Sequence, residues 1–171
     1  MLVAGVDEAG RGPVIGPLVI AVVTVEKEKE QYLKSIGIKD SKMLSPEKRE
    51  ELAKEICRLC KCHIIKITAK QLNSWMKVKS LNQIEADAIA DLIFHLPELN
   101  KIESIYIDSP DPDAKKFVWR MNLSKKIKEK IHASHKADVK FPVCSAASIV
   151  AKTARDAEIE KIKMELGCDF R

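Results

Sequence analysis

Two acidic residues, Asp7 and Glu8, stand side by side directly after an apolar N-terminal run. Adjacent carboxylates at the end of a buried strand repel each other and cost stability, unless a divalent cation neutralises them. Two further acids, Asp108 and Asp138, come at or just after the ends of later apolar segments. Because the ligands of open α/β sheets gather beyond the strand ends, we expect all four carboxylates to converge there. Oxygen ligands of this kind suit Mg²⁺ or Mn²⁺.

The chemistry that such a carboxylate set favours is hydrolysis of a phosphodiester. Two cations about 3.5–4 Å apart can hold the attacking and the leaving oxygen, one activating a water and the other stabilising the departing 3′-oxyanion. The alternative for Asp108 or Asp138 taken singly is an ordinary turn or helix-capping role. The adjacent pair at Asp7 and Glu8, combined with two more strand-end acids, favours the metal site.

A glycine-rich turn follows the acidic pair and is a candidate substrate contact. The small residues of Gly10-Arg11-Gly12 let backbone amides come close to a sugar or a phosphate. The motif is neither a dinucleotide fingerprint nor a P-loop, because prolines interrupt it, a strand follows it and no Gly-Lys-Ser/Thr is present. An ordinary N-terminal turn remains the alternative.

Further candidates for binding substrate are hydroxyl and ammonium groups elsewhere in the chain. Ser41 and Lys42, in a predicted loop, offer plausible contacts to phosphate. Ser145 and Ser148 lie where the last predicted helix begins, among small alanines that permit close packing on a sheet. These two serines either face the site or take part in that packing.

Hydrophobic periodicity predicts the elements that must position these residues. Five strands are expected at residues 2–6, 18–25, 61–67, 104–107 and 131–134. Helices are expected at residues 28–36, 46–60, 69–76, 82–96, 113–130 and 141–166, with a loop at residues 135–138. Strands that come early with short links and then alternate with helices predict an α/β fold with a mixed sheet.

The composition limits the class of protein. The chain has 171 residues and 46% hydrophobic residues, enough for one domain with a real core. It has no membrane-length apolar run and no signal-peptide pattern, so a cytoplasmic protein is expected. The five cysteines are then expected to be thiols. Zinc at Cys57, Cys60 and Cys62 with His63 is the less favoured alternative, because no second ligand pair is nearby.

The positive charge of the chain is local. Residues 113–130 hold seven basic and two acidic side chains, an excess equal to the whole chain's net charge of +5. A predicted basic helix of this kind is either a solvated face or a surface that binds the phosphate backbone of a nucleic acid. The sequence leaves both interpretations open.

Taken together, these segments closely resemble ribonuclease HII of the archaeal kind. The matching blocks follow the family's order and span nearly the whole chain. They are Gly5-Val-Asp-Glu-Ala-Gly-Arg-Gly-Pro13 with Gly16-Pro17, Lys39-Asp-Ser-Lys42, Tyr106-Ile-Asp108, His135-Lys-Ala-Asp138, Phe141-Pro-Val143 and Ser145-Ala-Ala-Ser-Ile149.

The resemblance implies an RNase H-like fold with a five-stranded mixed sheet. It also implies endonucleolytic cleavage of RNA in RNA–DNA hybrids and of single ribonucleotides in duplex DNA, 5′ to the ribonucleotide, leaving 3′-hydroxyl and 5′-phosphate ends. Lys42 would contact a phosphate, and Gly10, Arg11 and Gly12 would sense the ribose 2′-hydroxyl. The metal-binding catalytic acids would be Asp7, Glu8, Asp108 and Asp138.

The resemblance also includes one departure. Members of the family usually continue past residue 171 into a Gly-Tyr motif and a C-terminal helical region, and this sequence stops before them. We therefore expect a single RNase H-like catalytic domain over residues 1–171, acting as a monomer. The alternative is a hybrid-binding fragment with weak or no catalysis. A phosphoryl-transfer enzyme acting on nucleotides is less favoured, because the sequence lacks a phosphate cradle.

Overall fold

A five-stranded mixed sheet forms the centre of the computed structural model, which describes residues 1–12, 15–38 and 44–169. Its strands are β1 (Leu2–Ala9), β2 (Leu18–Glu26), β3 (Lys61–Ile67), β4 (Ile102–Asp108) and β5 (Ile131–Ser134). The strand order is β3-β2-β1-β4-β5. The β1–β2 and β2–β3 pairs are antiparallel, whereas β1–β4 and β4–β5 are parallel. The predicted mixed α/β sheet is therefore confirmed.

Helices cover both faces of this sheet. They are α1 (Glu30–Ser35), α2 (Pro46–Leu59), α3 (Ala69–Trp75), α4 (Leu81–Phe94), α5 (Ala114–Arg120), α6 (Lys125–Lys128), α7 (Ala137–Lys140) and α8 (Pro142–Leu166). One core lies between the sheet and helices α1, α2 and α8, and the other lies between the sheet and helices α4 and α5. None of the helices in the described part of the chain has the length and apolarity needed to cross a membrane.

The long helix α8 packs unusually close to the central strand β1. A Cβ atom at Gly5 would collide with the backbone of Val143 and Cys144 in the first turn of α8. Ala146 and Ala147, in the next turn, are fully buried. Small residues on both elements therefore let the backbone of α8 lie directly over β1, and this close approach brings α8 to the acidic end of the strand.

Helix starts follow the local sequence chemistry. The Ser45 hydroxyl accepts a hydrogen bond from the Lys48 amide at 3.2 Å, and Pro46 occupies the first turn of α2. At the start of α3, Thr68 and Gln71 form a capping box. Satisfying these free amides explains why the starts of α2 and α3 were predictable to within a residue.

Three predicted elements differ from the structure by more than two residues or in type. Strand β1 continues past residue 6 to Ala9, because Asp7 and Glu8 extend the ladder with Ala21 and Ile20 of β2. The four-residue helix α7 begins at Ala137, so it replaces the second half of the loop predicted at residues 135–138.

The single basic helix predicted at residues 113–130 is the third error, since the chain forms two short helices, α5 and α6. Met121 takes an extended conformation at the end of α5 and is 1% exposed in the core below α4. Ser124 then precedes α6. Burying the Met121 side chain therefore interrupts the helix.

Candidate metal centre

The register of the parallel strands brings Asp7 and Asp108 together. Val6 of β1 pairs with Ile107 of β4, so the next residue on each strand is an aspartate. Asp108 in turn pairs with Ser134, the last residue of β5. Two neighbouring strands, β1 and β4, therefore bring Asp7 and Asp108 to the same end of the sheet, beside the end of β5, as expected for a ligand site in an α/β fold.

Asp138 reaches the same place from α7. The turn before this helix contains Lys136 with a φ of 54°, a left-handed conformation that is uncommon for a residue with a side chain. The Ala137 amide, in the first turn of α7, donates a hydrogen bond of 3.1 Å to Asp108 Oδ1. This bond fixes the start of α7 against the end of β4, and it sets the position from which Asp138 projects.

The carboxylates of Asp7, Asp108 and Asp138 form a compact cluster. Each offers an oxygen within 4.8 Å of the others, and in the described part of the chain no other group of three acids, histidines or cysteines comes this close. Three oxygen ligands without nitrogen or sulfur form a donor set suited to a hard cation such as Mg²⁺ or Mn²⁺. We call these three residues the aspartate cluster.

Burial makes the aspartate cluster electrostatically strained without a cation. Asp7 is only 6% exposed. Its burial, with a further contribution from the charge of Asp108, raises the pKa of the Asp7 carboxyl from 3.8 to about 7. A bound cation would favour the ionised form of this carboxyl, so the residues fit the ion that their chemistry suggests.

Helix α8 supplies a hydroxyl and an ammonium group beside Asp7. The fully buried Ser148 hydrogen-bonds the Asp7 carboxylate, which lowers the pKa of that carboxyl. Lys152, one turn further along α8, donates a hydrogen bond of 2.7 Å to Ser148 Oγ, and its charge also lowers the pKa of Asp7. Lys152 and Ser148 thus hold Asp7 in place and partly offset the cost of its burial.

Glu8 does not belong to the aspartate cluster, although the sequence pattern placed it with the other acids. Successive residues of a strand face opposite sides, so the side chain of Glu8 points away from that of Asp7. Burial raises the pKa of the Glu8 carboxyl, and the charges of Asp7, Glu85 and Asp108 raise it further, whereas that of Arg11 lowers it. Glu8 therefore lies on the α4 side of β1, still within electrostatic reach of two cluster members.

Arg11 is bound by the protein itself. Its Nε lies 3.1 Å from Glu85 Oε1, and its Nη1 donates a 3.1 Å hydrogen bond to the Pro110 carbonyl. Its Nη2 donates to Asn82 Oδ1. The guanidinium therefore ties the glycine turn to the start of α4 and to the segment after β4. This position suits a residue that holds the turn in shape.

The two glycines beside Arg11 have different surroundings. Gly10 has a φ of 96°, and a side chain there would collide with the Pro17 carbonyl and with Arg155 of α8. Gly12 is exposed, and a Cβ at this position would meet nothing within 4 Å. Gly10 is therefore required by the fold of the turn, whereas Gly12 leaves an open approach to the backbone.

The remaining predicted substrate contacts are separated by the structure. Ser145 is buried, and its hydroxyl donates a hydrogen bond of 2.5 Å to the Ile38 carbonyl and not to an acid of the aspartate cluster. Ser41 and Lys42 lie outside the described residues. Among the serines proposed on α8, Ser148 is thus the one that contacts an acid of the cluster.

Sequence reasoning missed several polar residues around the site. Glu85 is 1% exposed on α4, and burial raises its pKa to about 7. The sequence feature that could have identified Glu85 is its position on the apolar face of a predicted helix, between Leu81 and Ile89. Lys152 could have been found from its spacing of four residues after Ser148. Asn82 carried no signal that separates it from an ordinary helix residue.

The basic segment presents fewer free charges than its composition suggests. Arg120 Nε lies 3.3 Å from Asp111 Oδ2, and Lys130 Nζ donates to the carbonyls of Leu99 and Ile102. The exposed lysines of this segment are Lys115, Lys116, Lys125 and Lys126. Lys128 Nζ donates to the Trp119 carbonyl at 3.4 Å, so three of the seven basic side chains serve the fold.

Comparisons with known proteins agree on one family. The model of the family described as Ribonuclease HII matches residues 4–171. A ribonuclease HII from Pyrococcus horikoshii is 44% identical over 168 residues, covering 98% of this chain and 74% of its own length. One from Archaeoglobus fulgidus is 43% identical over 171 residues, covering 98% of this chain and 77% of the relative.

Solved structures give the same result. The chain is 40% identical to the ribonuclease HII in the PCNA:RNase HII complex from Archaeoglobus fulgidus, with a TM-score of 0.86 over 97% of this chain and 77% of the other. Ribonuclease H2 from Pyrococcus horikoshii matches with a TM-score of 0.86 and 40% identity over 98% of this chain and 78% of that one. A structure of Bst-RNase HIII shares the fold at 24% identity, with a TM-score of 0.84.

Proposed function

The chain belongs to the ribonuclease HII family and is thus an RNase H-type endonuclease acting on RNA–DNA, and we propose that it cuts with a divalent cation held by the aspartate cluster. Its substrates would be RNA–DNA hybrids and single ribonucleotides embedded in duplex DNA. Cleavage would fall 5′ to the ribonucleotide and leave 3′-hydroxyl and 5′-phosphate ends.

One observation carries the proposal more than any other. Oxygens of Asp7, Asp108 and Asp138 lie within 4.8 Å of one another, in a chain that matches the family over residues 4–171. Three like charges at this separation are costly to keep in a partly buried place unless they serve a bound cation. The match covers all four predicted acids, which disfavours the alternative of a hybrid-binding fragment without catalysis.

Each residue would have a defined role. Asp7, Asp108 and Asp138 would hold one Mg²⁺ or Mn²⁺. Glu8 lies outside the cluster, but its charge reaches Asp7 and Asp108, and it would help to hold a second ion from the α4 side of β1. When bound, such cations activate a water for attack and stabilise the charge that develops on the leaving oxygen. Ser148 would keep the Asp7 carboxylate in a fixed orientation through its hydrogen bond.

The glycine turn would supply substrate selectivity. Gly10, Arg11 and Gly12 would place backbone amides against the ribose and so distinguish RNA from DNA through the 2′-hydroxyl. Arg11, held by Glu85, would act by keeping the turn in shape. Ser41 and Lys42 would contact phosphates of the duplex. We propose that residues 1–171 act together as one catalytic domain, because a single sheet carries both the acids and this turn.

Three labelled duplexes test the proposal: DNA with one ribonucleotide, a continuous RNA–DNA hybrid, and DNA alone. Each is incubated with Mg²⁺, Mn²⁺ or EDTA, and the product ends are mapped. We expect metal-dependent cleavage of the first two, 5′ to the ribonucleotide, and no cleavage of DNA alone. Cleavage that persists in EDTA, or cutting of DNA alone, would contradict the assignment.

A further inference from the structure

Two thiols outside the metal centre face each other across the turn between α2 and β3. The Sγ atoms of Cys57 and Cys62 lie 2.8 Å apart. Cys57 is in the last turn of α2, and Cys62 is the second residue of β3, an edge strand of the sheet. Cys57 is exposed and Cys62 is partly exposed, so a small oxidant can reach the pair from solvent.

The surroundings of this pair do not form a metal site. Cys60 is buried in the apolar core beneath α2 and contributes its side chain there. His63 follows Cys62 along β3, and its Nε2 lies 3.9 Å from Glu98. Within the described residues, the aspartate cluster is the one group in which three potential ligands approach within 4.8 Å. The two thiols therefore stand as a pair, whereas zinc requires four ligands.

We propose that Cys57 and Cys62 form a reversible intramolecular disulfide. The sulfurs need to approach from 2.8 Å to a bond of about 2.0 Å, and both belong to residues beside a tight turn. This modification site goes beyond the proposed nuclease function and does not depend on it.

The oxidant is a low-molecular-weight disulfide such as oxidised glutathione. The Cys57 thiolate attacks one sulfur of this disulfide, which breaks its S–S bond and releases one glutathione thiolate. Cys62 then loses its proton, and its thiolate attacks Cys57 Sγ and releases the second glutathione. Two thiol protons leave, and two electrons pass from the cysteines to the glutathione disulfide, which becomes two thiols.

The hydrogen bond between the two thiols supports this order of attack. It lowers the pKa of Cys57 to about 7 and raises the pKa of Cys62. Burial raises the pKa of the third nearby thiol, Cys60, to about 11. At neutral pH, Cys57 is thus the most reactive of the three, because the thiolate is the nucleophile.

Closing the bond would fasten the end of α2 to the start of β3. The link restricts the unfolded chain, and for a loop this short we expect the melting temperature to rise by about 5 °C. Reduction with dithiothreitol should return the melting temperature to its original value.

Tryptic peptide mapping tests the pairing directly. Cleavage after Lys54, Arg58, Lys61 and Lys66 places Cys57, Cys60 and Cys62 in the separate peptides 55–58, 59–61 and 62–66. The folded protein is equilibrated with oxidised glutathione at pH 8, quenched with acid, alkylated and digested. We expect a peptide 55–58 linked to 62–66, together with the rise in melting temperature.

Matched variants make the test specific. Cys57→Ser and Cys62→Ser should each abolish the linked peptide and the thermal shift. Cys168→Ser removes another exposed thiol and should leave both unchanged. A linked peptide that contains Cys60, or glutathione that remains attached to Cys57 without a link to Cys62, would overturn the proposal.

Discussion

At the scale of single residues, Asp7 carries the largest conflict between stability and chemistry. It is 6% exposed and lies beside Asp108, yet its burial is only partly offset by Ser148 and Lys152. When the buried Asp7 carboxyl ionises, its charge destabilises the metal-free fold. Such a conflict is typical of groups kept for binding a charged partner.

The pKa of Asp7 gives a testable pH dependence. Because the folded protein raises this pKa from 3.8 to about 7, it binds the proton more tightly than the unfolded chain does. Protonation of Asp7 therefore adds to the free energy of unfolding. This contribution is complete below pH 3.8 and is lost as the pH rises towards 7. In EDTA, Asp7→Asn should therefore unfold with a free energy up to about 2–4 kcal/mol higher than wild type at pH 8, and with little difference near pH 4.

Urea unfolding at a series of pH values measures this difference. Asp91→Asn is the matched control, because its side chain is 64% exposed and its 3.3 Å contact with His95 is an exposed surface pair that contributes little to stability. The control should follow wild type within about 0.5 kcal/mol at each pH. An Asp7→Asn curve that is parallel to wild type from pH 4 to 8 would contradict the assigned shift.

Arg11 offers a second prediction at this scale. Removing its side chain leaves Glu85 buried without its cation, so Arg11→Ala should lower the free energy of unfolding by about 1–3 kcal/mol at pH 8. The loss should be smaller at pH 6, because the pKa of Glu85 is raised to about 7 and this carboxyl then takes up a proton.

A double-mutant cycle with Glu85→Gln checks the coupling of these two residues. In the Glu85→Gln background, Arg11→Ala should lower the free energy of unfolding by less, and this loss should no longer change with pH. Equal costs in both backgrounds would show that Arg11 does not compensate Glu85.

At the scale of elements, the close contact of β1 with α8 positions the metal centre. The sequence was sufficient to predict the strands and most helices, because apolar periodicity and the caps at Ser45 and Thr68 act locally. It was also sufficient to predict that Asp7, Asp108 and Asp138 converge. It could not predict that Met121 breaks the basic helix or that Glu8 faces α4, since both depend on packing between distant elements.

Substitution of Gly5 tests the contact between β1 and α8. A methyl group there would meet the backbone of Val143, which cannot move without shifting the whole helix. We expect Gly5→Ala to lower the free energy of unfolding by about 3 kcal/mol or more. Chemical denaturation monitored by circular dichroism measures this loss.

Gly12→Ala is the matched control for this substitution. Nothing lies within 4 Å of its added Cβ, so its stability should remain within about 0.5 kcal/mol of wild type. If Gly5→Ala is as stable as Gly12→Ala, then the small-residue contact does not set the distance between strand and helix.

At the scale of the whole molecule, the excess positive charge of residues 113–130 equals the net charge of +5. The exposed Lys125 and Lys126 belong to α6, whereas Arg120 and Lys130 are bound by other parts of the protein. A surface that binds a nucleic acid through its phosphates releases counterions, and the affinity then depends steeply on salt.

Neutralising Lys125 and Lys126 distinguishes a surface that binds phosphates from one that is only solvated. For Lys125→Gln with Lys126→Gln, the slope of log affinity against log salt should decrease in magnitude by about two. Fluorescence anisotropy with a labelled hybrid in Ca²⁺ or EDTA measures this slope. The control pair, Lys70→Gln with Lys77→Gln, makes the same change in net charge at two other exposed lysines. Identical slopes for the two pairs would assign α6 to a solvated face.

The measurement that tests the central claim most directly is Mn²⁺ binding by calorimetry, with cleavage of a hybrid assayed on the same samples. Wild type and Asp91→Asn should bind Mn²⁺ alike and cut alike. Asp7→Asn should bind Mn²⁺ at least about tenfold more weakly and lose cleavage by at least about a hundredfold, while its circular dichroism spectrum stays unchanged. An Asp7→Asn protein that binds Mn²⁺ as wild type does, or that still cuts the hybrid at the wild-type rate, would contradict the account.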